Sequence, residues 1–183
     1  MKKKEPAKDW AERIVRAVWP QEREFMERPE RYRYVRKLLP PTDCVFCEAE
    51  QAPIGPESLV LAKDERCYVV MNKYPYNSGH LLILPRRHVG NIWELDDATL
   101  EEMARWQKRS VTILKDVLEC QGFNLGLNQG AVAGAGIPGH FHWHVIPRWG
   151  GDTNFFPLIG ETKVLPETLE STYSRLQGPF QKG

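Results

Sequence analysis

The stretch His140-Phe141-His142-Trp143-His144-Val145-Ile146-Pro147-Arg148 has three histidines at alternate positions. In an extended strand, successive side chains point to opposite faces, so the three imidazoles are predicted to share one face. Phe141, Trp143 and Val145 are then predicted to face the core, with Ile146 on that face or at the buried end of the strand. A lone histidine on a strand is most often a packing residue, but the chain has only five histidines. Three of them in register predict a functional site.

The composition is that of an ordinary soluble protein. The 183 residues suit one domain with a real core, and 42% of them are hydrophobic and 27% charged. The net charge of +1 gives no electrostatic argument for nucleic acid or a membrane as a partner. No apolar run approaches the length of a membrane span, and no signal-peptide core follows the lysines at 2–4, so we expect a cytoplasmic protein.

Residues 1–41 are predicted to be a basic, partly helical appendage to a catalytic domain that spans residues 42–183. Apolar residues recur there at helical spacing before Pro20, namely Trp10, Ile14, Val15 and Val18. Glutamates interleave with the lysines and arginines of this segment. The simplest interpretation is therefore a solvated helical face, and the pattern predicts no role for it.

Beyond the appendage, the hydrophobic pattern predicts an α+β fold, with a mostly antiparallel sheet, one long helix and a short C-terminal helix. The long helix is predicted over 95–119, with Asp96 as its cap and Gly122 as its end. The short helix is predicted over 166–176, and a hairpin turn over 63–66. The strand-like runs are 58–62, 67–71, 79–85 and 123–128, in addition to the histidine strand.

The loop before the histidine strand is unusually rich in glycine. Four glycines lie between Asn128 and His140, and no large side chain follows Gln129. Glycines let backbone N–H groups approach a ligand closely and form a nest for an anion. The loop is therefore predicted to bind phosphate, with an ordinary surface loop as the alternative.

Cys44-x-x-Cys47 has the two-residue spacing that is favoured for a zinc knuckle. His88 and His140 are predicted to complete a closed Cys2His2 site, which would be structural rather than catalytic. Three alternatives stay open at this point: a catalytic metal held by the histidine row, a redox pair of cysteines, and two buried thiols beside an exposed His88. The pair lacks the βαβ context of a thioredoxin-like motif, which favours zinc.

These motifs resemble the histidine triad (HIT) superfamily of nucleotide hydrolases and transferases. The alternating run from His140 to Ile146 matches the family's triad in full. Asn72-x7-His80 and Asn128-x-Gly130 are similar to its other signature positions. The resemblance covers residues 44–156, and the cysteine–histidine set resembles the zinc-bearing branch of the family.

Two further segments, 134–140 and 147–155, are similar to bacterial members that act on diadenosine tetraphosphate as phosphorylases or adenylyltransferases. The loop before the triad is one residue longer than in the simpler hydrolases, and Gly136 stands where a glutamine is usual. Both departures favour a transferase over plain hydrolysis. The resemblance thus implies cleavage of dinucleoside polyphosphates with inorganic phosphate as the acceptor, by a homodimer. A hydrolase, or a zinc-stabilised nucleotide-binding module without turnover, is the alternative.

The resemblance also implies a role for each histidine. His142 would attack the α-phosphorus and form a nucleotidyl-histidine intermediate, and His144 would stabilise the phosphate oxygens or help the leaving group depart. His140 would be committed to zinc, which would aim His142. His80 would be a partner of the triad rather than a surface histidine, and Asn72 would bind the ribose hydroxyls.

The remaining positions are implied to contact the nucleotide. Val70 and Leu82 would form walls for an adenine, although plain core residues would fit the same strand pattern. Trp149, with the segment 152–154, would cover the far end of the substrate, unless Trp149 is a core or dimer-contact residue. The residues implied to hold the phosphates are Asn128, Gly134 and Gly136.

Overall fold

A computed structural model describes residues 44–152 and 165–182, so the predicted appendage at 1–41 lies outside the described residues. The strands are β1 (Val60–Lys63), β2 (Cys67–Met71), β3 (Leu81–Pro85), β4 (Gly122–Gly126) and β5 (Trp143–Arg148). The helices are α1 (Val45–Gln51), α2 (Asp97–Leu118) and α3 (Leu169–Gln181), with short 3-10 turns at Ile92–Glu94 and Ala131–Ala133. The strands form one sheet in the order β1-β2-β3-β5-β4, and every neighbouring pair is antiparallel. The predicted α+β fold is confirmed.

The main core lies between one face of the sheet and the two longer helices. Along β2, Cys67, Val69 and Met71 point into this core, as do Leu81 and Ile83 of β3. The helices α2 and α3 pack on this face and on each other. This alternation along the strands is the period of two that the sequence pattern predicts.

The opposite face of the sheet carries a smaller apolar cluster, covered by α1. Its buried members are Val60, Tyr68, Val70, Leu82 and Leu84. Phe46 and Ala49 of α1 pack against them, and the Tyr68 hydroxyl donates to the carbonyl of Phe46 at 2.7 Å. The sequence analysis assigned no helix to this segment, so α1 is an addition to the predicted fold.

The long helix begins where it was predicted and ends earlier. Asp96 caps it by accepting a hydrogen bond from the N–H of Thr99 at 2.7 Å. At the other end, Glu119 adopts a left-handed conformation with φ of 53° and ends the helix after Leu118. The prediction that Gly122 ends the helix is therefore wrong, because Gly122 already belongs to β4.

The predicted strands 58–62, 79–85 and 123–128 lie at Val60–Lys63, Leu81–Pro85 and Gly122–Gly126, so their bounds shift by one or two residues. Two further elements also differ from the predictions. The regular histidine strand begins only at Trp143, because the N–H of Phe141 donates to the carbonyl of Val89, in a loop, at 2.6 Å. The C-terminal helix begins later than predicted and continues beyond residue 176, with Thr168 as its cap and Pro179 inside its last turn. The predicted hairpin turn joins β1 to β2 at residues 64–66, because Lys63 already pairs with Tyr68 as part of β1.

Candidate active site and metal centre

The histidine row lies on the sheet face that carries the smaller apolar cluster. Val70, Leu82 and His144 are directly opposite one another across β2, β3 and β5, so their side chains point to the same side. The rings of His142 and His144 are 5.0 Å apart between centroids. Phe141 and Val145 point into the main core, as predicted. The shared face of the histidines therefore follows from strand geometry, although His142 precedes the regular strand.

His142 is held by its own backbone. Its ring Nδ1 lies 2.8 Å from the carbonyl oxygen of His140 and must donate to it, because a carbonyl can only accept. In the neutral ring, the lone pair is then on Nε2. Burial is the largest influence on the pKa of His142 and lowers it, which favours the neutral ring. The side chain keeps 7% of its surface exposed.

His144 contacts a histidine that comes from the start of β3. His80 is fully buried, and its Nε2 lies 2.9 Å from Nδ1 of His144. On its other side, Nδ1 of His80 accepts a hydrogen bond from the backbone N–H of Tyr76 at 3.1 Å. Burial, followed by the neighbouring histidines, lowers the pKa of His80 to about 3 and that of His144 to about 4. Both rings are therefore neutral near pH 7.

Cys44, Cys47, His88 and His140 form a group whose ligand atoms all lie within 4.8 Å of one another. Sγ of Cys44 is 3.4 Å from Nδ1 of His140, and Sγ of Cys47 is 3.2 Å from Nδ1 of His88. Such a set of two thiols and two imidazoles could hold a metal ion. Four residues from three separate segments converge here, which supports a built site rather than an accidental cluster.

The orientation of His140 fits a role as a metal ligand. Its Nε2 lies 2.9 Å from the carbonyl of Pro85 and donates to it, so the lone pair on Nδ1 faces the cysteines. Across residues 44–152 and 165–182, the group compatible with a metal is the Cys2His2 set and not the histidine row. The alternative in which the three histidines jointly bind a catalytic metal is therefore not supported.

The segment between the two cysteines adds a contact that the sequence analysis missed. The ring of Phe46 lies 5.6 Å from that of His140 and 5.1 Å from that of His142. The same turn of α1 thus contacts both the metal-compatible set and the middle histidine. A phenylalanine inside a CxxC motif gives no signal by itself, because its target is brought there by a distant strand.

Comparisons with known proteins agree with this geometry. The model of the HIT domain family matches residues 56–151. This chain belongs to the HIT domain family. It is 43% identical over 116 residues to a Mycobacterium tuberculosis protein named AP-4-A phosphorylase, which aligns with 63% of this chain. The chain spans only 60% of the length of that relative.

Two solved structures of HIT proteins resemble the fold. A histidine triad nucleotide-binding protein from Sulfolobus tokodaii is 29% identical, with a TM-score of 0.59 over 75% of this chain and 92% of that one. A Zn-bound histidine triad family protein from Mycobacterium smegmatis, 24% identical, has a TM-score of 0.61 over 75% and 93% of the two chains. The second likeness shows the fold alone.

Several positions that the HIT resemblance implies do lie beside the histidines. Asn72 follows β2, is half-buried, and has its Nδ2 at 3.3 Å from Nδ1 of His80. Val70 and Leu82 lie in the row that ends at His144, but they are only 6% and 3% exposed. Packing in the smaller cluster accounts for most of their surface, which favours the core alternative for these two residues.

The glycine-rich loop has the conformations that its glycines permit. Gly130 and Gly134 have φ of 82° and 85°, on either side of the short 3-10 turn at Ala131–Ala133. Gly134 and Gly136 are exposed, and Asn128 is half-buried. An ordinary surface loop could adopt the same conformations, so the phosphate-binding role stays a prediction.

Trp149 lies on the other side of the sheet from the histidines. It packs against the main core, and its Nε1 donates to the carbonyl of Leu118 at the end of α2, at 3.2 Å. These contacts fit the core alternative for Trp149, and its implied contact with the far end of the substrate stays a prediction. Asp152 pairs with Arg148 at 2.6 Å, while residues 153 and 154 lie outside the described residues.

Among the described helices, none has the length and apolar character needed to span a membrane.

Proposed function

We propose that this HIT protein is a nucleotidyl transferase that cleaves dinucleoside polyphosphates through a covalent intermediate on His142. The observation that carries the proposal is the hydrogen bond from Nδ1 of His142 to the carbonyl of His140. It leaves the Nε2 lone pair of the neutral ring available, and that atom makes no hydrogen bond with the described residues. A neutral imidazole with a fixed orientation is suited to nucleophilic attack on phosphorus.

With diadenosine tetraphosphate as the substrate, Nε2 of His142 would attack the α-phosphorus in line. The bond to the bridging oxygen would break, ATP would leave, and adenylate would remain bonded to His142. An oxygen of inorganic phosphate would then attack the same phosphorus and displace His142, which produces ADP. The name of the M. tuberculosis relative, AP-4-A phosphorylase, supports this choice of substrate and acceptor.

We also propose that the Cys2His2 group binds zinc as a structural ion. Two thiolates and two imidazoles are the ligands that structural zinc prefers, and Cys44, Cys47, His88 and His140 offer no open position for a substrate. When bound, zinc would cross-link the start of α1, the loop after β3 and the start of the histidine segment. The Zn-bound HIT protein of M. smegmatis has the same fold.

Within this proposal, Asn72 binds the ribose, and Asn128 with the loop amides at Gly134 and Gly136 binds the phosphates. Asn72 is half-buried beside the histidines, and the two glycines are exposed, as a ligand site requires. The active protein is proposed to be a homodimer in the cytoplasm. Sedimentation at several protein concentrations would test the dimer.

Product analysis with diadenosine tetraphosphate, with and without inorganic phosphate, tests the proposed reaction. ATP and ADP formed only with phosphate would support a phosphorylase. ATP and AMP formed regardless of phosphate would replace it with the hydrolase alternative. Absence of turnover together with nucleotide binding would favour a binding module, and acid quenching of the first turnover would show whether adenylate becomes covalently attached.

A further inference from the structure

One short segment connects the Cys2His2 group to the glycine-rich loop. It comprises residues 88–92, follows β3 and begins with His88, a member of the metal-compatible group. The sequence motifs assign a role only to His88 in this segment, and none to residues 89–92. The contacts of those residues with both ends of the loop indicate what the segment does.

The segment contacts the end of the loop at two neighbouring points. The carbonyl of Val89 accepts a hydrogen bond from the N–H of Phe141 at 2.6 Å. Next to it, Gly90 lies so close to the loop that a Cβ atom at this position would be 2.8 Å from the carbonyl oxygen of Pro138. Only a glycine fits there without a shift of one of the two backbones. The end of the loop is therefore packed directly on the segment.

The start of the loop is held to the segment by one side chain, that of Gln129. Its Oε1 accepts a hydrogen bond from the backbone N–H of Ile92 at 3.1 Å. Among the described residues, no other hydrogen bond joins the 88–92 segment to residues 128–135. Gln129 occupies the position that the Asn128-x-Gly130 motif leaves open, so the resemblance to the family implies no role for it.

At its other end, the position of the segment depends on His88. The His88 side chain is exposed, and its hydrogen-bonding contact among the described residues is with Sγ of Cys47, at 3.2 Å from Nδ1. An exposed imidazole with so little packing has several accessible rotamers, whereas a bond to a metal selects one of them. A bound metal would therefore fix the start of the segment, and the contacts of Gly90 and Ile92 fix the loop relative to the segment.

We propose that metal binding and phosphate binding are coupled in this protein through residues 88–92, with Gln129 as the positioning residue on the loop. This inference rests on the proposed function, because it takes the glycine-rich loop as the phosphate site. A metal bound at His88 orders the segment, and the segment orders the loop, so less entropy is lost when phosphate binds. Gln129 acts through the backbone of the loop and does not itself need to touch the phosphate.

Coupling between two binding sites is reciprocal, so it can be measured on the metal without following turnover. If the metal strengthens phosphate binding by some factor, phosphate binding must strengthen metal binding by the same factor. The quantity to measure is the dissociation constant of zinc from the full-length protein, by competition with a chromophoric chelator, at saturating AMP. Adenosine, which lacks the phosphate, is the control ligand for contacts with the nucleoside. The same competition without protein corrects for zinc bound by AMP itself.

Two matched glutamine variants test whether Gln129 carries the coupling. Gln129→Met removes the acceptor of the Ile92 N–H with little change in side-chain volume. Gln121→Met is the control, because Oε1 of Gln121 also accepts a backbone hydrogen bond, from the N–H of Gly150 at 2.6 Å. Gln121 lies just before β4, outside both the 88–92 segment and the glycine-rich loop. The two variants thus lose the same kind of hydrogen bond at different places.

In the wild-type protein, AMP should strengthen zinc binding at least about fivefold, and adenosine should change it less than about twofold. Gln129→Met should reduce the effect of AMP to less than about twofold, whereas Gln121→Met should retain the wild-type effect. The inference is overturned if AMP has no effect on the wild-type protein, if adenosine has an equal effect, or if Gln129→Met keeps the full coupling.

These outcomes can be told apart from failure of the proposed function. If the wild-type protein cleaves diadenosine tetraphosphate but AMP leaves its zinc affinity unchanged, the inference alone fails. If calorimetry shows that AMP does not bind the zinc-loaded protein, the proposed phosphate site fails, and the inference fails with it. The comparison of AMP with adenosine uses the wild-type protein, so the inference can be overturned even if Gln129→Met does not fold.

Discussion

The two ends of the histidine row are held in different ways. His140, at one end, has Nδ1 facing the cysteines and Nε2 donating to the carbonyl of Pro85, so both ring nitrogens are committed. His144, at the other end, has Nδ1 against His80 and leaves Nε2 without a partner among the described residues. One end of the row is thus suited to holding the fold, and the other to contacting a ligand.

This difference shows that the spacing of the histidines places them on one face but does not assign their chemistry. The neighbour of each ring decides which nitrogen is available, and those neighbours come from Cys44 and Cys47 at one end and from His80 at the other. His142, between them, has its Nδ1 held by the backbone of its own segment and its ring beside that of Phe46. Variants at each position test whether catalysis at His142, metal binding at His140 and the pH dependence of stability at His144 are independent of one another.

The largest effect is expected at the middle of the row. His142→Ala removes the proposed nucleophile and should lower kcat by at least about 10³-fold. Nucleotide affinity should stay within about tenfold, because the covalent step is lost and little binding is. Rapid-quench kinetics and calorimetry with a non-hydrolysable analogue measure the two quantities. Retained turnover would rule out His142 as the nucleophile.

The second-largest effect, on metal content and stability, is expected at the Cys2His2 group. Cys47→Ser should lose the bound metal and reduce the free energy of unfolding by several kcal/mol, because structural zinc contributes to folding. Cys120→Ser is the matched control, since Cys120 is a buried thiol outside the Cys2His2 group. Metal analysis and urea unfolding of both variants make the comparison. Full metal content with an unchanged unfolding curve in Cys47→Ser would contradict the proposed site.

At the end of the row formed by His144 and His80, the free energy of unfolding should depend on pH. His80 and His144 have pKa values lowered, first by burial, from 6.5 to about 3 and about 4. The unfolded chain therefore binds more protons than the folded protein between about pH 4 and about pH 6.5, so the free energy of unfolding falls as pH falls through that window. From about pH 6.5 to about pH 5 the loss is up to about 2 kcal/mol for each histidine.

Urea unfolding of metal-loaded protein at several pH values measures this slope. His80→Gln is the comparison, because glutamine does not titrate and should flatten the pH dependence. His142 also faces His80, so the variant removes one titrating group and leaves two. Metal content must be checked at each pH, since acid releases zinc as well. Parallel curves for the variant and the wild type would contradict the lowered pKa of His80.

The sequence predicts the strands and the long helix well because their hydrophobic periods are regular. β2 was predicted at residues 67–71, where it lies, since alternate residues face two different apolar clusters. The end of α2 was missed because Glu119, not a glycine, takes the left-handed conformation. Helix α1 was missed since its seven residues are too few to show a clear period.

The candidate site was predictable where a motif carries it and not where folding creates it. The Cys2His2 set follows from the CxxC spacing and two well-placed histidines, and the structure brings all four residues together. By contrast, the contact of Phe46 with His142 depends on how distant segments pack. The packing of Trp149 against the main core likewise follows from its place after β5 and not from a motif, and its implied contact with the substrate stays a prediction.

The smallest effect is expected at Phe46, which links the metal end to the middle of the row. Its ring contacts His140 and His142, while its carbonyl is anchored by the Tyr68 hydroxyl, so truncation should not displace α1. An aromatic contact of this kind contributes about 0.5–1.5 kcal/mol, so Phe46→Ala should lower kcat up to about tenfold with the metal retained. Val45→Ala, at the neighbouring and more exposed position, is the control and should change neither kcat nor KM.

The pattern of kinetic changes decides how Phe46 acts. A fall in kcat at constant KM, with full metal content, is expected if the ring orients His142, and Phe46→Leu should recover part of the loss by restoring apolar contact. A rise in KM at constant kcat would instead mean that Phe46 contacts the nucleotide. Loss of metal in Phe46→Ala would contradict the separation of the two ends, because the aromatic ring would then be part of what holds the Cys2His2 group together.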